Sequence, residues 1–163
     1  MKKTVVGLTG QSGAGKTTIS DAFRENGFEI INCDIVAREV TQAGSECCKE
    51  LAKLFPSCFD ENYTLDRQKL GEIVFSDKNK LQMLNDTIYP FINKLIDEKI
   101  NAAPSMFILL DAPTLFEAGA DKLCSVIVSV VADFGIRLER ISKRDGISAE
   151  LANCLLYTSD AAD

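Results

Sequence analysis

The most constraining feature of this sequence is an eight-residue segment near its start, Gly10–Thr17 (GQSGAGKT). A β-branched run, Thr4–Thr9, precedes it, and a stretch of helical composition, Lys16–Asn26, follows it. The segment fits the pattern G-x-x-x-x-G-K-[ST], in which glycines let the backbone curl until consecutive N–H groups face one anion. A helix that begins at such a curl adds the positive end of its dipole. The order strand, loop, helix therefore predicts a phosphate-binding loop (P-loop) for a nucleoside triphosphate, with a ligand-free glycine turn as the alternative.

Two side chains of this loop predict how the nucleotide is held. The ammonium group of Lys16 can reach the β- and γ-phosphates, and the hydroxyl of Thr17 can bind Mg²⁺. We therefore expect Lys16 to be catalytic and Mg²⁺ to accompany ATP. The residues expected to bind ATP in this segment are Gly10, Ser12, Gly13, Ala14, Gly15, Lys16, Thr17 and Thr18.

Short apolar runs alternate with helical segments along the chain. The strand candidates lie around Val6, Ile30, Leu109 and Ile127. Strands that alternate with helices form a parallel sheet covered on both faces, and ligands bind beyond the carboxyl ends of such strands. The pattern predicts an α/β fold, a three-layer P-loop NTPase sandwich. Pro90, inside the long helical stretch 77–102, is expected to kink or break that helix.

Composition excludes several classes of site. The sequence has no histidine, which excludes Ser-His-Asp and Cys-His catalysis. Its six cysteines form no C-x-x-C pair, so a zinc site has little support and the thiols are expected to be reduced. The net charge of -6 argues against a nucleic-acid or anionic-membrane surface, and no apolar run reaches the roughly 18 residues of a membrane span. We expect a cytoplasmic protein with no nucleic-acid, membrane or obligatory protein partner.

A set of short motifs follows the loop along the chain. They are Cys33–Arg38 (CDIVAR), Leu65–Gly71 (LDRQKLG), Val74-Phe75, Tyr89-Pro90, Asp111–Glu117 (DAPTLFE), Arg137–Arg140 (RLER) and Arg144-Asp145. In their order and spacing, from about Val6 to about Glu150, the chain resembles the dephospho-CoA kinases. The resemblance implies a nucleoside-monophosphate-kinase-like fold and the ATP-dependent phosphorylation of the 3′-hydroxyl of dephospho-CoA. The chain departs from the usual family pattern at Asn32, Tyr89 and Thr114.

The resemblance gives roles to carboxylates and an arginine outside the loop. It implies that Asp34 binds, orients and deprotonates the attacking hydroxyl, although an Asp directly after a strand also suits a helix N-cap. Asp111, at the end of an apolar strand, suits a carboxylate that holds Mg²⁺ or its water shell; a turn-forming Asp is the alternative. Arg67 and Glu117 are implied on the acceptor side, where the alternative for each is a solvated charge.

Three arginines near the end of the chain have helical spacing. Arg137, Arg140 and Arg144 follow i, i+3, i+7, so they share one face of a continuing helix. In related kinases a lid carries arginines onto the transferring phosphate. By that resemblance Arg140 is expected to be catalytic and Arg144 to bind ATP, and the alternative is ion pairing with Glu139 or Asp133.

The expected organisation is a single domain, 1–163, with a helical acceptor-binding insert at 34–103 and a lid region at 133–155. After about Leu155 the sequence no longer resembles the family, which continues with a further helix and strand, so we expect a truncated or spliced end. A nucleoside or nucleotide monophosphate kinase, and an inactive nucleotide-binding fragment, remain open alternatives. The identity of the acceptor depends on the insert, and physical reasoning from one sequence does not determine which acceptor the insert binds.

Overall fold

The computed structural model describes the backbone of residues 3–160 and the side chains of residues 3–157. The strands are β1 (Thr4–Gly10), β2 (Glu29–Asn32), β3 (Phe107–Asp111) and β4 (Val126–Val130). The helices are α1 (Lys16–Glu25), α2 (Cys33–Val40), α3 (Glu46–Leu54), α4 (Arg67–Phe75), α5 (Lys78–Ala102), α6 (Phe134–Asp145) and α7 (Ala149–Asp160). None of the helices in residues 3–160 is both long and apolar enough to cross a membrane. The last part of the atypical tail, 161–163, lies outside the described residues.

The strands form one sheet in the order β2-β3-β1-β4. Strand β1 pairs in parallel with β3 on one side and with β4 on the other, so that Leu8 lies opposite Asp111 and Gly10 opposite Val130. All four strands lie where the apolar runs predict them, and the predicted parallel α/β architecture is confirmed. Because β1 and β3 run in the same direction, Asp111 and the start of the glycine loop lie at the same edge of the sheet.

The contacts of the chain divide it into two compact units. The first, here the sheet unit, contains the described residues up to Ile30, Ser105–Leu115 and those from Cys124 onward. Its core joins Val6, Leu8 and Leu109 of the sheet to partly buried side chains of α1 such as Phe23. A second apolar cluster joins α6 to α7 through Ile141, Ala152 and Leu156.

The other unit, here the helical unit, contains Ile31–Pro104 and Phe116–Leu123. Helices α2, α3 and α4 each pack against the long helix α5. The buried core residues of this unit are Cys47, Leu51, Phe55, Cys58, Leu70 and Val74. Each helix of this unit begins with a side chain that accepts hydrogen bonds from backbone N–H groups of its first turn: Asn32, Ser45, Asp66 and Asp77. Such caps satisfy donors that have no partner within the helix.

Helix α5 runs without interruption through Pro90 for 25 residues, so of the expected kink or break the break is wrong. Proline removes one backbone donor and crowds the carbonyl of the residue four positions earlier, here Asp86. Both Pro90 and Asp86 are exposed, so water can satisfy that carbonyl. The opposite side of α5 is held by three helices, and this packing outweighs the local propensity.

The thiols of Cys47, Cys48 and Cys58 are buried and unbridged, as expected for cysteines that act as small core residues. Burial, with a smaller contribution from Cys48, raises the pKa of the Cys47 thiol to about 11. Cys47 therefore contributes packing rather than a reactive thiolate.

Candidate active site

The glycine loop connects the carboxyl end of β1 to the first residue of α1. The residue before α1 is Gly15, whose φ of 107° lies in the left-handed region that favours glycine. Unlike the helices of the helical unit, α1 has no side-chain cap, and no acidic residue lies in its first turn. Its first N–H groups and the positive end of its dipole are therefore available to an anion.

A cavity of about 290 Å³ lies against this loop. Its walls are Gln11, Ser12, Gly13, Gly15, Lys16, Thr17, Arg140, Ile141 and Arg144. The structure thus brings most of the sequence-predicted nucleotide-binding residues of loop and lid together in one place. Three cationic side chains face one small space in a chain whose net charge is -6, an arrangement that favours a polyanion.

Three of the predicted ATP-binding residues do not line this cavity. Gly10 is the last residue of β1 and lies against Val130, and Ala14 is buried beneath the loop. Thr18 is exposed on α1. A second cavity, of about 490 Å³, lies on the other side of Arg140 between Ala14 and the segment that leads from β4 into α6.

Helix α6 brings Arg140 to the loop backbone. Its Nη1 donates hydrogen bonds to the carbonyl oxygens of Gly13, at 3.3 Å, and Ala14, at 3.0 Å. The side chain remains exposed at the cavity wall. Arg140 therefore has a guanidinium that touches both the loop and the space that a phosphate would occupy.

Arg144 also lines the cavity, but its guanidinium forms a double hydrogen bond with the carboxylate of Asp145, at 2.7 and 2.8 Å. This bond raises the pKa of Arg144 and lowers that of Asp145. Glu139 pairs instead with Lys143 at 2.8 Å, so the proposed alternative of pairing with Glu139 is wrong for Arg144. An exposed pair of this kind is weak, and a phosphate can compete for the arginine.

The third arginine of this face, Arg137, has a place that the sequence did not reveal. It is only 3% exposed, and its Nε and Nη1 donate to the Ser12 carbonyl at 2.9 Å and to Gln11 Oε1 at 2.8 Å. Its helical spacing predicted the correct face of α6. No sequence signal separates a buried arginine from its exposed neighbours on that face, since burial depends on residues more than a hundred positions away.

Asp111 ends β3 beside the strand that enters the loop. The N–H of Ala112 donates to the carbonyl of Leu8 at 3.0 Å, and the Thr9 hydroxyl donates to that of Pro113 at 3.3 Å. These bonds fix the chain that directly follows the half-buried Asp111 against β1. Its carboxylate and the Thr17 hydroxyl are hard oxygen donors of the kind that Mg²⁺ prefers.

Asp34 lies in the first turn of α2 and is exposed. The cap of this helix is Asn32, whose Oδ1 accepts from the N–H groups of Asp34 at 2.9 Å and Ile35 at 3.1 Å. The alternative in which Asp34 itself is the N-cap is therefore wrong. The carboxylate of Asp34 makes no capping bond; in the first turn it adds a favourable charge at the start of the helix and remains exposed.

Arg67, the first residue of α4, is attached to the other end of α2. Its Nη2 donates to Thr41 Oγ1 at 2.6 Å, and that hydroxyl donates in turn to the carbonyl of Ala37 at 2.7 Å. Thr41 is 5% exposed, which makes it one of the few buried polar residues. The arginine is thus held by a specific bond rather than simply solvated, and Thr41 is a contributor that sequence reasoning missed.

Glu117 is exposed in the segment that follows β3. The adjoining residue Ala118 accepts a hydrogen bond from Asn93 Nδ2 of α5 at 2.7 Å, which attaches this segment to the helical unit. Asp34, Arg67 and Glu117 therefore all belong to the helical unit, whereas the residues that line the loop cavity belong to the sheet unit.

Among protein families, the model of the dephospho-CoA kinases matches residues 4–158. The dephospho-CoA kinase of Fusobacterium nucleatum is 35% identical over 156 residues, an alignment that covers 96% of this chain and 81% of that protein.

Two solved structures are similar to this chain over nearly its whole length. A Thermus thermophilus protein, TT1252, has a TM-score of 0.82 and 28% identity, with 100% of this chain and 81% of that chain covered. The dephospho-CoA kinase of Campylobacter jejuni has a TM-score of 0.62 and 26% identity, with 97% of this chain and 81% of that chain covered.

Proposed function

Because the chain belongs to the dephospho-CoA kinase family, we propose that it transfers the γ-phosphoryl group of ATP to the 3′-hydroxyl of dephospho-CoA. The products are coenzyme A and ADP. The observation that carries the proposal is the cavity in which an uncapped helix start meets Lys16, Arg140 and Arg144. Phosphoryl transfer requires mainly positioning and charge stabilisation, and this cavity offers both.

Nucleotide binding begins with the backbone of the loop. Its N–H groups and the start of α1 hold the phosphate chain, while Lys16 places a positive charge against the β- and γ-phosphates. Arg140 reaches the same space from α6, where its charge stabilises the negative charge that develops on the transferring group. Arg144 exchanges part of its bond with Asp145 for a phosphate oxygen.

The oxygen donors of Thr17 and Asp111 fit a magnesium ion that is bound mainly through the nucleotide. Among the described side chains no cluster of three acidic, histidine or cysteine residues could hold a metal ion. Mg²⁺ characteristically combines one or two protein ligands with substrate phosphates. When bound, such an ion neutralises charge on the β- and γ-phosphates. Thr17 and Asp111 would orient it.

On the acceptor side we assign the general-base role to Asp34. A carboxylate that accepts a hydrogen bond from the ribose 3′-hydroxyl orients this group and takes its proton as the bond to phosphorus forms. The cap supplied by Asn32 supports this assignment, because it fixes the first turn of α2 without using the carboxylate.

We also place the binding of dephospho-CoA in the insert at 34–103, together with Glu117. A guanidinium is suited to clamping a phosphate of the acceptor, and the bond to Thr41 limits the conformations of Arg67 before any ligand arrives. The region 133–155 would act as the lid. A cytoplasmic location is part of the same proposal, and the buried unbridged thiols of the helical unit support it.

The proposal is tested by incubating the full chain with Mg-ATP and, separately, dephospho-CoA, AMP, CMP and UMP. Mass spectrometry detects a product heavier by one phosphoryl group. We expect kcat/KM to be highest for dephospho-CoA and the phosphate to be on the 3′-oxygen. Equal or faster turnover of a nucleoside monophosphate would show that the chain is a nucleotide kinase instead.

A matched variant makes the assay specific for this site. Lys143→Ala removes a cation of α6 whose recorded partner is Glu139, and it should leave turnover unchanged. Lys16→Ala removes the cation of the loop and should abolish turnover. If both variants retain turnover, the reaction does not occur at the loop cavity.

A further inference from the structure

The side chain of Arg137 is buried against the loop and does not reach the surface of the cavity. It is 3% exposed and does not line the loop cavity, whereas Arg140 and Arg144, on the same helix, do. Burying a guanidinium is costly unless its donors are satisfied. Here Nε and Nη1 donate to Ser12 and Gln11 of the loop, which satisfies two of the guanidinium's donors.

The bond from Nε fixes the orientation of one peptide group. In a trans peptide the carbonyl and the following N–H point in opposite directions, and the structure has no cis peptide in its described part. Because the Ser12 carbonyl points to Arg137, the N–H of Gly13 points away from Arg137. Ser12 and Gly13 both line the cavity and Arg137 does not, so the group of this peptide that remains for a bound phosphate is the N–H donor and not the carbonyl oxygen.

The loop also lies directly on the backbone of α6 at this position. A Cβ atom at Gly13 would come within 2.9 Å of the Arg137 carbonyl oxygen and 3.1 Å of Ile141 Cγ1. Gly13 has a φ of 77°, which a side chain rarely adopts. The loop at Gly13 therefore packs closely against the backbone of α6. The bonds of Arg137 hold α6 against the loop and also orient the Ser12–Gly13 peptide.

We infer that Arg137 is a positioning residue for nucleotide binding, which holds the Ser12–Gly13 peptide with its N–H toward the phosphates and sets the position of Arg140 one helical turn further on. The inference rests on the proposed binding of a nucleotide at the loop but not on the identity of the acceptor. A charge-assisted hydrogen bond of this kind is worth about ten- to a hundredfold in an equilibrium constant.

The test measures the dissociation constants of ADP and of inorganic tripolyphosphate by calorimetry, at a temperature where each variant is folded. Arg137→Met keeps an unbranched stem and removes the donors. We expect it to weaken both ligands about ten- to a hundredfold and to raise KM for ATP, while KM for the acceptor is unchanged. Arg137→Lys keeps the charge but not the fork of donors, so its affinities should be intermediate. Lys143→Met is the control, with wild-type affinity.

A purely structural role of Arg137 predicts a different result from the positioning role. If Arg137 only holds the fold together, Arg137→Met lowers the midpoint of thermal unfolding but leaves both dissociation constants unchanged in the folded protein, and that outcome overturns the inference. Should Arg137→Met fail to fold, Arg137→Lys decides, since wild-type affinities in that variant would also overturn it. Weaker ADP binding in a protein that phosphorylates none of the tested acceptors would support the inference and refute the proposed function. Unchanged ADP binding in Arg137→Met, with normal turnover of dephospho-CoA, would refute the inference and support the proposed function.

Discussion

The sheet unit and the helical unit hold their chemistry-bearing side chains in different ways. In the sheet unit these groups belong largely to one continuous loop and to the helix α6 that hydrogen-bonds to it. In the helical unit they are exposed side chains in separate segments, and each is positioned by a neighbour such as Asn32 for Asp34 or Thr41 for Arg67.

This difference indicates how each half of the reaction is encoded. We expect phosphate recognition to use backbone N–H groups of a short glycine-containing loop that is visible in the sequence, with Arg137 of the distant helix α6 holding one of its peptides. We expect recognition of the acceptor to use individual side chains on a helical scaffold, whose arrangement depends on packing. The two units should therefore respond differently to substitution.

The largest effect should follow a change in the sheet unit. Lys16→Ala is expected to reduce phosphoryl transfer to below detection, because its charge acts on the phosphates throughout the reaction. The fold should be retained, since Lys16 is only partly buried at the mouth of the loop. Turnover and circular dichroism measure the two properties. Normal turnover in this variant would show that the loop takes no part in the mechanism and would contradict the comparison of the two units.

The next largest effect should come from the helical unit and leave the sheet unit intact. Asp34→Asn is expected to lower kcat by about 10²–10⁴-fold, the usual contribution of a general base, while ADP affinity is unchanged. Because Asn32 is the cap, the free energy of unfolding should fall by no more than about 0.3–1 kcal/mol, the contribution of a charge in the first turn of a helix. Asn32→Ala should lower it by about 1 kcal/mol. A loss of kcat below about threefold in Asp34→Asn would be far too small for a general base.

A smaller effect is expected at the other end of α2. Arg67→Met should raise KM for dephospho-CoA about tenfold or more through the loss of a charged hydrogen bond, with KM for ATP unchanged. Thr41→Val removes the hydroxyl that holds Arg67 and should raise the same KM to a lesser degree. Steady-state kinetics with each substrate varied in turn measures both. A rise in KM for ATP instead would mean that the two units do not divide the substrates between them.

The smallest effect concerns the core of the helical unit. The pKa of Cys47 is raised from 9.0 to about 11, so between these values the unfolded chain loses a proton that the folded protein keeps. Stability contributed by the protonated thiol is therefore complete below pH 9.0 and decreases as the pH rises toward about 11. Denaturant unfolding across this range should show a steeper decrease for the wild type than for Cys47→Ala. Parallel curves would contradict the buried-thiol interpretation.

Local patterns predicted the elements well and some of their details poorly. The strand, loop and helix that form the proposed phosphate site follow from adjacent residues, and all four strands were located. The continuity of α5 through Pro90 was not predicted, because tertiary packing against three helices outweighs the local cost of a proline in a helix. Asn32 and Asp34 are both good capping residues, and only the end of β2 decides between them.

Side-chain roles at the site were predictable to the extent that they are local. The spacing of Arg137, Arg140 and Arg144 indicated a shared helix face. The structure separates them into one buried arginine, one bonded to the loop backbone at the cavity wall and one paired with its neighbour. This separation depends on contacts with a loop that is distant in sequence, and a single sequence does not contain that information.

The uncapped start of α1 links the concentration of nucleotide to the thermodynamic stability of the protein. A bound phosphate supplies the acceptors that Asn, Ser and Asp side chains supply to the other helices, so ligand binding completes a secondary-structure element. A ligand that binds only the native state at a hundred times its dissociation constant adds about 2.7 kcal/mol to the free energy of unfolding. That increment is a substantial fraction of the stability of an ordinary domain, about 5–15 kcal/mol. Depletion of ATP and ADP would therefore shift the population toward unfolded chains, and with it the susceptibility of this protein to proteolysis.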